Sequence, residues 1–451
     1  MTNDPPPSDV AKLVQGSVRR HVLVQTAPMI VALIASTSVG ILDAYFVGQL
    51  GPDALAAIGF VFPVHIALLS LGVGVMVGIN SCVARALGAH EHAVAEQRAV
   101  QGLIFGALLG VGLSVLLLVG QRALFRALNA DGAALELVIE YMFPYALGFT
   151  PLILSMSLNG VLRGQGEAVK SSTILIVVAA MNLVLDPVLI AGWGPFPAFG
   201  VAGAAYATVT AFGLAAAVGF GLVQSGDVKI RASRVFEGDL VQGMLSLARV
   251  GAPAAFSNSV NPIGLTILTG LLATHGSVVV GAFGAAARVQ NVVIVPLLAL
   301  SSSIGPIVGQ NWGAGAFDRA RSAWRFSVAL CVGYGLVAAM LLVLFRTSLA
   351  QVFTDAQAVA SEIEGYILLA AWGFAGFGVL IVTNGALNAI DKASTGLAVS
   401  VGRVFAVMVP LSLVGSALVG SHGVYAAILA ANLVGAGVAF VFGHRALDVS
   451  A

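Results

Sequence analysis

The sequence carries very little charge. Asp, Glu, Lys and Arg make up 9% of its 451 residues, whereas a soluble domain carries about 25%. Because hydrophobic residues reach 59%, there are too few polar residues to cover the surface of a water-soluble globular protein. The sequence therefore excludes a water-soluble globular protein. The 21 basic residues nearly balance the 20 acidic ones. No strongly basic surface is indicated, so we expect no nucleic-acid partner.

Cysteine is equally scarce, since only Cys82 and Cys331 are present, both in apolar runs. Two such residues exclude a disulfide framework, and the Cys/His spacing of a metal site is lacking. The Walker lysine of a phosphate-binding loop is also lacking, as are the Ser/His, HExxH and paired-aspartate signatures of an intramembrane enzyme. We therefore expect no enzyme, no cofactor and no bound structural metal, and an ion gradient as the energy source.

What the sequence does have is long apolar runs, each of about 20 residues or more, which is enough to cross ~30 Å of hydrocarbon as a helix. Alternation with period two is lacking, which argues against a membrane barrel. The sequence thus predicts an all-α polytopic membrane protein with twelve transmembrane helices, at about 21–48, 54–82, 98–121, 134–161, 171–192, 200–224, 245–273, 279–308, 323–345, 361–388, 395–419 and 423–443.

The basic residues fall mostly on one side of these spans. The other side holds only Arg122, Arg126 and Arg346, and Arg403 near the start of the eleventh span is assigned to neither. Because short cytoplasmic segments are rich in Lys and Arg, we predict a multi-pass protein of the cell membrane with both termini cytoplasmic. The proline-containing start predicts a disordered cytoplasmic tail over 1–18.

The two halves of the chain resemble each other at a constant offset of 225 residues. Residues other than common apolar types recur at this offset, as in Pro28 and Pro253, Tyr141 and Tyr366, and Asn159-Gly160 and Asn384-Gly385. This predicts two six-helix lobes, 19–224 and 241–451, joined by a cytoplasmic linker, 225–240. An even number of spans gives both lobes one orientation, so a pseudo-twofold axis along the membrane normal relates them, with substrate between them.

Several motifs occur in order along nearly the whole chain, from about Gln25 to Arg445. They are Pro28 with Asp43-Ala44-Tyr45-Phe46-Val47-Gly48, Arg163-Gly164-Gln165-Gly166-Glu167, Asn182-Leu183-Val184-Leu185-Asp186-Pro187, Gly200-Val201-Ala202-Gly203-Ala204-Ala205 and Val308-Gly309-Gln310-Asn311. This layout resembles the multidrug and toxic compound extrusion (MATE) family. The resemblance is to the DinF-like branch, because asparagines stand where the NorM branch carries second-lobe acids, at Asn258, Asn261, Asn384 and Asn388.

Two carboxyl groups stand inside predicted spans. Asp43 and Asp186 lie at similar depth, and an aspartate there costs about 2.5 kcal/mol or more, so its default interpretation is functional. At the repeat offset their counterparts are Leu268 and Leu411, so the ancestral fold does not require these acids. Ion coupling is therefore predicted in the first lobe. An acid that snorkels outward or caps a helix break beside Pro187 is the structural alternative.

Two polar residues complete this predicted coupling group. Asn182 precedes Asp186 by one helical turn and shares its face, and Thr208 resembles the family's hydroxyl at this site. Both acids being buried together disfavours their joint ionisation, which suits proton exchange. The oxygens of Asp43, Asn182 and Asp186 would also suit a sodium ion, and the sequence leaves that choice open.

Further residues are candidates for the hinge and the cavity. Pro28 removes one helical hydrogen bond and is either a hinge that responds to protonation or a plain kink. Arg288 is taken as the one basic residue deep in a span. Possible cavity-lining residues are His65, Arg288, Asn258 and Asn384.

The resemblance implies a secondary active antiporter that exports small organic compounds, mainly cationic ones, in exchange for protons by alternating access. Alternatives are sodium coupling in the same fold, or a flippase for lipids or lipid-linked sugars. The expected partners are the substrate, H⁺ or Na⁺ and the lipid bilayer, and the protein is expected to be a monomer.

Overall fold

The computed structural model describes residues 11–194, 197–231, 233–234 and 237–448, and within these ranges the regular structure is helical, without a β-strand. The helices of the first half are α1 (Val18–Gly48), α2 (Pro52–Gly88), α3 (His92–Ala127), α4 (Gly132–Leu147), α5 (Phe149–Gly164), α6 (Ala168–Ala191) and α7 (Gly200–Gln224). Those of the second half are α8 (Leu240–Ala273), α9 (Ser277–Val293), α10 (Val295–Gly313), α11 (Phe317–Leu344), α12 (Arg346–Phe353), α13 (Gln357–Ala370), α14 (Gly373–Ala389), α15 (Ala393–Val401), α16 (Val409–Val419) and α17 (Ser421–Leu447).

The helices have the length and composition of membrane spans. Eight stretches of the described chain qualify alone, counting α15 to α16 as one, and three bent pairs bring the total to eleven. The remaining predicted span, the seventh at 245–273, corresponds to α8, which is helical over 34 residues but carries Asn258 and Asn261 in its middle and is not among the eleven. The predicted all-α polytopic membrane fold is confirmed.

Three predicted spans are each bent into two helices. The bends are 50° between α4 and α5, 43° between α9 and α10, and 55° between α13 and α14. The first and third occur at homologous positions of the repeat, Gly148 and Gly373. The second precedes Pro296, at the N-terminus of α10. A proline or glycine is a common cause of such a break because it weakens the local helical hydrogen bonding.

The eleventh predicted span contains a different irregularity. Gly402–Met408 forms a π-helical segment between α15 and α16. Such segments are rare and are often found at functional sites, because the wider turn alters which side chains share a face. Arg403 lies in this segment and is buried.

Packing divides the chain into two compact units. Unit 1 is built around Ala27–Ala255, and unit 2 combines Leu13–Thr26 with Phe256–Ala451. The first part of α1 thus belongs to unit 2 and the first part of α8 to unit 1, at homologous positions of the repeat. The membrane lobes predicted at 19–224 and 241–451 stay a prediction, as does the linker between them.

The predicted tail needs a correction over part of its length. Positions 1–10 lie outside the described residues, but Leu13 is buried within unit 2. Its N–H donates to Gln310 Oε1 at 3.0 Å, and Asn311 Nδ2 donates to its carbonyl oxygen at 3.1 Å. The predicted disorder of this part is therefore wrong, because a buried apolar side chain and two hydrogen bonds fix the backbone.

Gln165, from the glycine-containing motif after α5, fixes the segment that follows α7. Its Oε1 accepts a hydrogen bond from the N–H of Val228 at 3.0 Å, and its Nε2 lies 3.4 Å from the carbonyl oxygen of Val228. Val228 itself is fully buried. The motif therefore serves a structural purpose in unit 1.

α6 and α7 pack closely against each other, and these two helices carry Asn182, Asp186 and Thr208. Gly203 on α7 approaches the α6 backbone so closely that a Cβ atom there would lie 2.6 Å from the Leu189 carbonyl carbon and 2.8 Å from the Ile190 nitrogen. Only a residue without a side chain permits this approach. By contrast, a Cβ atom at Gly213, further along α7, would meet nothing within 4 Å.

We expect Gly203→Ala to destabilise the protein by about 1–3 kcal/mol, because backbone atoms of α6 would have to move. Gly213→Ala is the matched control and should be neutral or stabilising, since Ala favours a helix by about 1 kcal/mol over Gly. Thermal unfolding of the two purified proteins in the same detergent measures the difference. Equal melting temperatures would contradict the packing described for α6 and α7.

Candidate functional site

Two acidic side chains meet inside unit 1. Asp186 on α6 is fully buried, and Asp43 on α1 is half-buried. Their carboxyl groups are close enough to interact directly. Both oxygens of Asp186 and one of Asp43 are buried without a hydrogen-bond partner among the described residues. The two acids thus lie together, and no basic side chain of the described residues neutralises them.

An amide and a hydroxyl group lie beside this acidic pair. Asn182 is fully buried, and its Nδ2 donates to the carbonyl oxygen of Val178 at 2.9 Å. Its Oδ1 accepts a hydrogen bond from Thr208 Oγ1 at 3.2 Å. The two bonds fix the amide on the face of α6 that carries Asp186. The structure therefore brings Asp43, Asn182, Asp186 and Thr208 together, and their functional role stays a prediction.

A tyrosine from α4, Tyr141, lies close to the acidic pair. Tyr141 interacts electrostatically with both carboxyl groups, and its ring stacks on that of Tyr145, with 5.9 Å between centroids. The Tyr145 hydroxyl is buried without a hydrogen-bond partner. From the sequence, Tyr141 is only a general aromatic contact. Its spacing of four residues from Tyr145, which gives both rings one helix face, is the signal that could have placed it here.

His65 on α2 is half-buried and packs against Tyr145. Its ring centroid is 5.2 Å from that of Tyr145, and Tyr145 in turn contacts Tyr141. The arrangement gives His65 a neighbour in the site but no direct contact with either acid that the structure records. Its proposed part in lining a cavity or relaying protons stays a prediction.

The corresponding positions of unit 2 are apolar or neutral. Leu268, at the position homologous to Asp43, is fully buried in the core. Leu411, homologous to Asp186, is exposed. Gln290 takes the place of His65 and accepts a hydrogen bond from Tyr366, the counterpart of Tyr141. The acidic character is thus confined to unit 1 among these homologous positions.

The buried basic residue of unit 2 is Arg403. The sequence prediction gave this place to Arg288, but the Arg288 side chain on α9 is exposed. Arg403 is only 4% exposed and donates to the amide oxygens of Asn432 and Asn261, both at 2.7 Å. Its position near the start of a span in sequence hid this burial, because a count along the chain cannot register packing from α8 and α17.

The remaining predicted residues lie on helices of the two units. Pro28 is inside α1, which is helical without interruption from Val18 to Gly48, and its hinge role stays a prediction. Asn258 on α8 is exposed. Asn384 on α14 donates to Ser400 Oγ at 2.9 Å, so it belongs to a polar cluster of unit 2.

Comparison with known proteins gives a consistent result. The MatE family model matches residues 28–188 and again 253–414, which are the two halves of the predicted repeat. The FAD transporter of Shewanella oneidensis is 31% identical over 94% of this chain and 93% of its own length. The probable multidrug resistance protein NorM of Deinococcus radiodurans is 27% identical, over 94% of each chain.

The fold also matches solved structures. A MOP superfamily transporter from Pyrococcus furiosus, described by a reverse polarity of its binding pocket that suggests a different function, superposes with a TM-score of 0.90. It is 25% identical, and the match covers 99% of both chains.

Fold, repeat and paired acids together define a multi-pass membrane protein that is a secondary transporter and not an enzyme. The chain belongs to the MATE family, because the MatE model matches both halves of the chain and because the Shewanella protein is similar over nearly the whole length. The family predicted from the motifs is confirmed, while its DinF-like branch stays a prediction.

Thr208→Val should destabilise the protein by about 1–3 kcal/mol, because the isosteric side chain leaves the buried Asn182 Oδ1 without its donor. Thr210→Val, on the same helix but at an exposed position, is the control and should change stability little. Chemical unfolding of both variants in detergent checks this expectation. A Thr208→Val protein as stable as its control would mean that the hydrogen bond to Asn182 is not formed.

Proposed function

We propose that the protein exports small organic compounds from the cell in exchange for protons, with Asp43 and Asp186 as the coupling groups. The observation that carries this proposal is the close approach of the two carboxyl groups, with buried oxygens that lack partners. Two like charges at this distance cannot both be stable away from water. One shared proton removes the repulsion and supplies the missing hydrogen bond.

This arrangement gives the transporter two states of charge. With a proton bound, the acidic pair is stable in its buried position. Loss of the proton leaves two negative charges, which favours either separation of α1 from α6 or the approach of a cation. Cationic substrate and proton therefore oppose each other at one site, and alternating access links the exchange to transport. Pro28, inside α1, is the point at which that helix can bend.

Asn182 and Thr208 set the geometry of the pair. Because Thr208 occupies one lone pair of Asn182 Oδ1, the amide is held in one orientation beside Asp186. The carboxyl group is thus the group free to change its protonation. Sodium coupling is the second candidate, since the oxygens of all three residues are ligands that a hard cation accepts.

The proposed range of substrates follows from the acidic pair and from the names of similar proteins. The acidic pair attracts cationic compounds, which agrees with the drug-resistance names of several relatives. The Shewanella relative is named as a transporter of FAD, which is an anion. We therefore include anionic compounds in the proposed range.

The proposal also includes a position in the cell membrane, with both termini cytoplasmic, and action as a monomer.

The coupling ion is tested by transport in everted membrane vesicles. Transport of a fluorescent cationic dye into the vesicles should follow an imposed proton gradient and should not respond to a sodium gradient. Flux that follows only the sodium gradient would replace the proton by sodium at the same site. Flux that follows neither gradient would contradict the antiport mechanism.

Asp186→Asn should reduce coupled export to the background of cells that lack the protein, because Asn keeps the size of the side chain but cannot exchange a proton. Asp391→Asn is the matched control. Asp391 lies in the turn between α14 and α15 with φ 63°, a conformation that Asn adopts as readily as Asp, and export should be retained. Drug efflux normalised to membrane abundance is measured together with substrate-induced proton release from purified protein. Unchanged proton release from Asp186→Asn would refute the assignment.

A further inference from the structure

Arg403 is a buried cation without an anionic partner. Its guanidinium group lies inside unit 2, only 4% exposed, and no carboxyl group of the described residues contributes to its surroundings. Buried charges in proteins are normally paired with an opposite charge. The homologous residue of the first half is Val178, which carries no charge. The shared fold therefore does not require an arginine at position 403, and its presence needs another explanation.

Neutral groups hold the guanidinium in place. Asn432 on α17 is buried and accepts from Nη1 at 2.7 Å, and the Phe377 ring lies 5.5 Å from the guanidinium carbon. Gly435, one turn after Asn432, leaves room for the aliphatic part of the side chain, because a Cβ atom there would lie 2.8 Å from Arg403 Cδ. These contacts orient the charge without neutralising it.

One side of the guanidinium is less firmly held. Nη2 donates to Asn261 Oδ1 at 2.7 Å, and Asn261 on α8 is only half-buried. The third nitrogen, Nε, is buried without a hydrogen-bond partner among the described residues. A guanidinium group presents its donors as a planar fork that matches phosphate and carboxylate oxygens. Replacing the neutral Asn261 oxygen by an anionic one would give a charge-assisted hydrogen bond, which is about twice as strong.

A polar path leads from this arginine along the same helices. Ser257 and Ser400 share a hydrogen bond of 2.9 Å, and Asn384 Nδ2 donates to Ser400. Within the part of the chain that the structure describes, Asn384 Oδ1 is buried without a hydrogen-bond partner. Ser257 precedes Asn261 by one turn of α8 and shares its face, while the hydrogen bonds join Ser257 to the buried Ser400 on α15 and Ser400 to the half-buried Asn384 on α14. These groups provide hydrogen bonds for the uncharged part of a bound molecule.

We propose that this arginine cluster, formed by Arg403, Asn261, Asn432, Asn384, Ser257 and Ser400, binds the phosphate group of an anionic organic substrate. The inference extends the proposed transport function by naming a substrate class and the unit that recognises it. The substrate is a phosphorylated planar solute, since Phe377 supplies an aromatic neighbour and the relative from Shewanella is named for a flavin dinucleotide. Unit 1 thus carries the acids for the ion, and unit 2 the cation for the substrate.

The experiment compares two fluorescent flavins that differ by one phosphate group. Full-length protein in nanodiscs of zwitterionic lipid is titrated with riboflavin or with flavin mononucleotide, and binding is measured by equilibrium dialysis. Flavin mononucleotide should bind at least about tenfold tighter, which corresponds to about 1.4 kcal/mol. Arg403→Gln should abolish this advantage and leave riboflavin binding unchanged, and Arg403→Lys should keep part of it. Arg325→Gln, which removes an exposed charge from α11 of the same unit, should keep all of it.

A second measurement does not depend on the variants. Inorganic pyrophosphate should displace flavin mononucleotide from the unmodified protein but leave riboflavin bound. Nanodiscs with anionic phosphatidylglycerol distinguish a lipid headgroup from a soluble phosphate: loss of flavin mononucleotide binding in that lipid would show the headgroup to be the ligand and overturn the proposal. No advantage of flavin mononucleotide in the unmodified protein, or no binding of it, also overturns the proposal, as does equal weakening of both flavins by Arg403→Gln.

These outcomes are separate from those for the proposed function. Equilibrium binding is measured without any ion gradient, so a failure of proton coupling leaves the flavin comparison intact. Conversely, a dye that is exported against protons while both flavins bind equally would retain the antiporter and remove the arginine cluster as a phosphate site.

Discussion

A bilayer provides no water to a buried charge, and this constraint governs where polar residues of this chain can stand. Asp43 and Asp186 meet in unit 1, where a neutral amide, a hydroxyl group and the Tyr141 ring lie near them and no basic side chain of the described residues does. Their mutual repulsion can be relieved by a proton, by a cation or by movement of α1. The close contact at Gly203 packs α7 tightly against α6, the helix that carries Asp186.

The second unit meets the same constraint in a different way. Its positions homologous to the acids are leucines, so no carboxyl group has to be neutralised there. Arg403 instead introduces a positive charge, which two amide oxygens and an aromatic ring hold in place without cancelling it. The repeat has thus diverged in the sign of its buried charge while its helices, bends and several motifs have stayed alike. Opposite signs in two units of one transporter allow an ion and a substrate to be recognised by different groups.

Glycine and proline determine much of the geometry around both sites. Gly203 permits the approach of α7 to α6, and Gly435 leaves space for the Arg403 side chain. Gly148 and Gly373 mark homologous bends, whereas the break before Pro296 has no equivalent in the continuous helix α2. The two halves therefore share an ancestry without being copies of one structure. Local backbone chemistry explains each departure better than a general flexibility of the helices would.

The sequence by itself determined the membrane class, the helical spans, the repeat and the presence of Asp43 and Asp186 inside spans of the first half. Those features follow from composition, from run length and from spacing along one helix, all of which can be read without a neighbour. It did not determine the burial of Arg403, the exposure of Arg288, the order of the segment at Leu13 or the position of Tyr141 beside the acids. Each of these depends on residues far away in the chain, such as Asn432 for Arg403 and Gln310 for Leu13. Only tertiary packing decides them, because burial and pairing are properties of a side chain's surroundings and not of its place in the sequence.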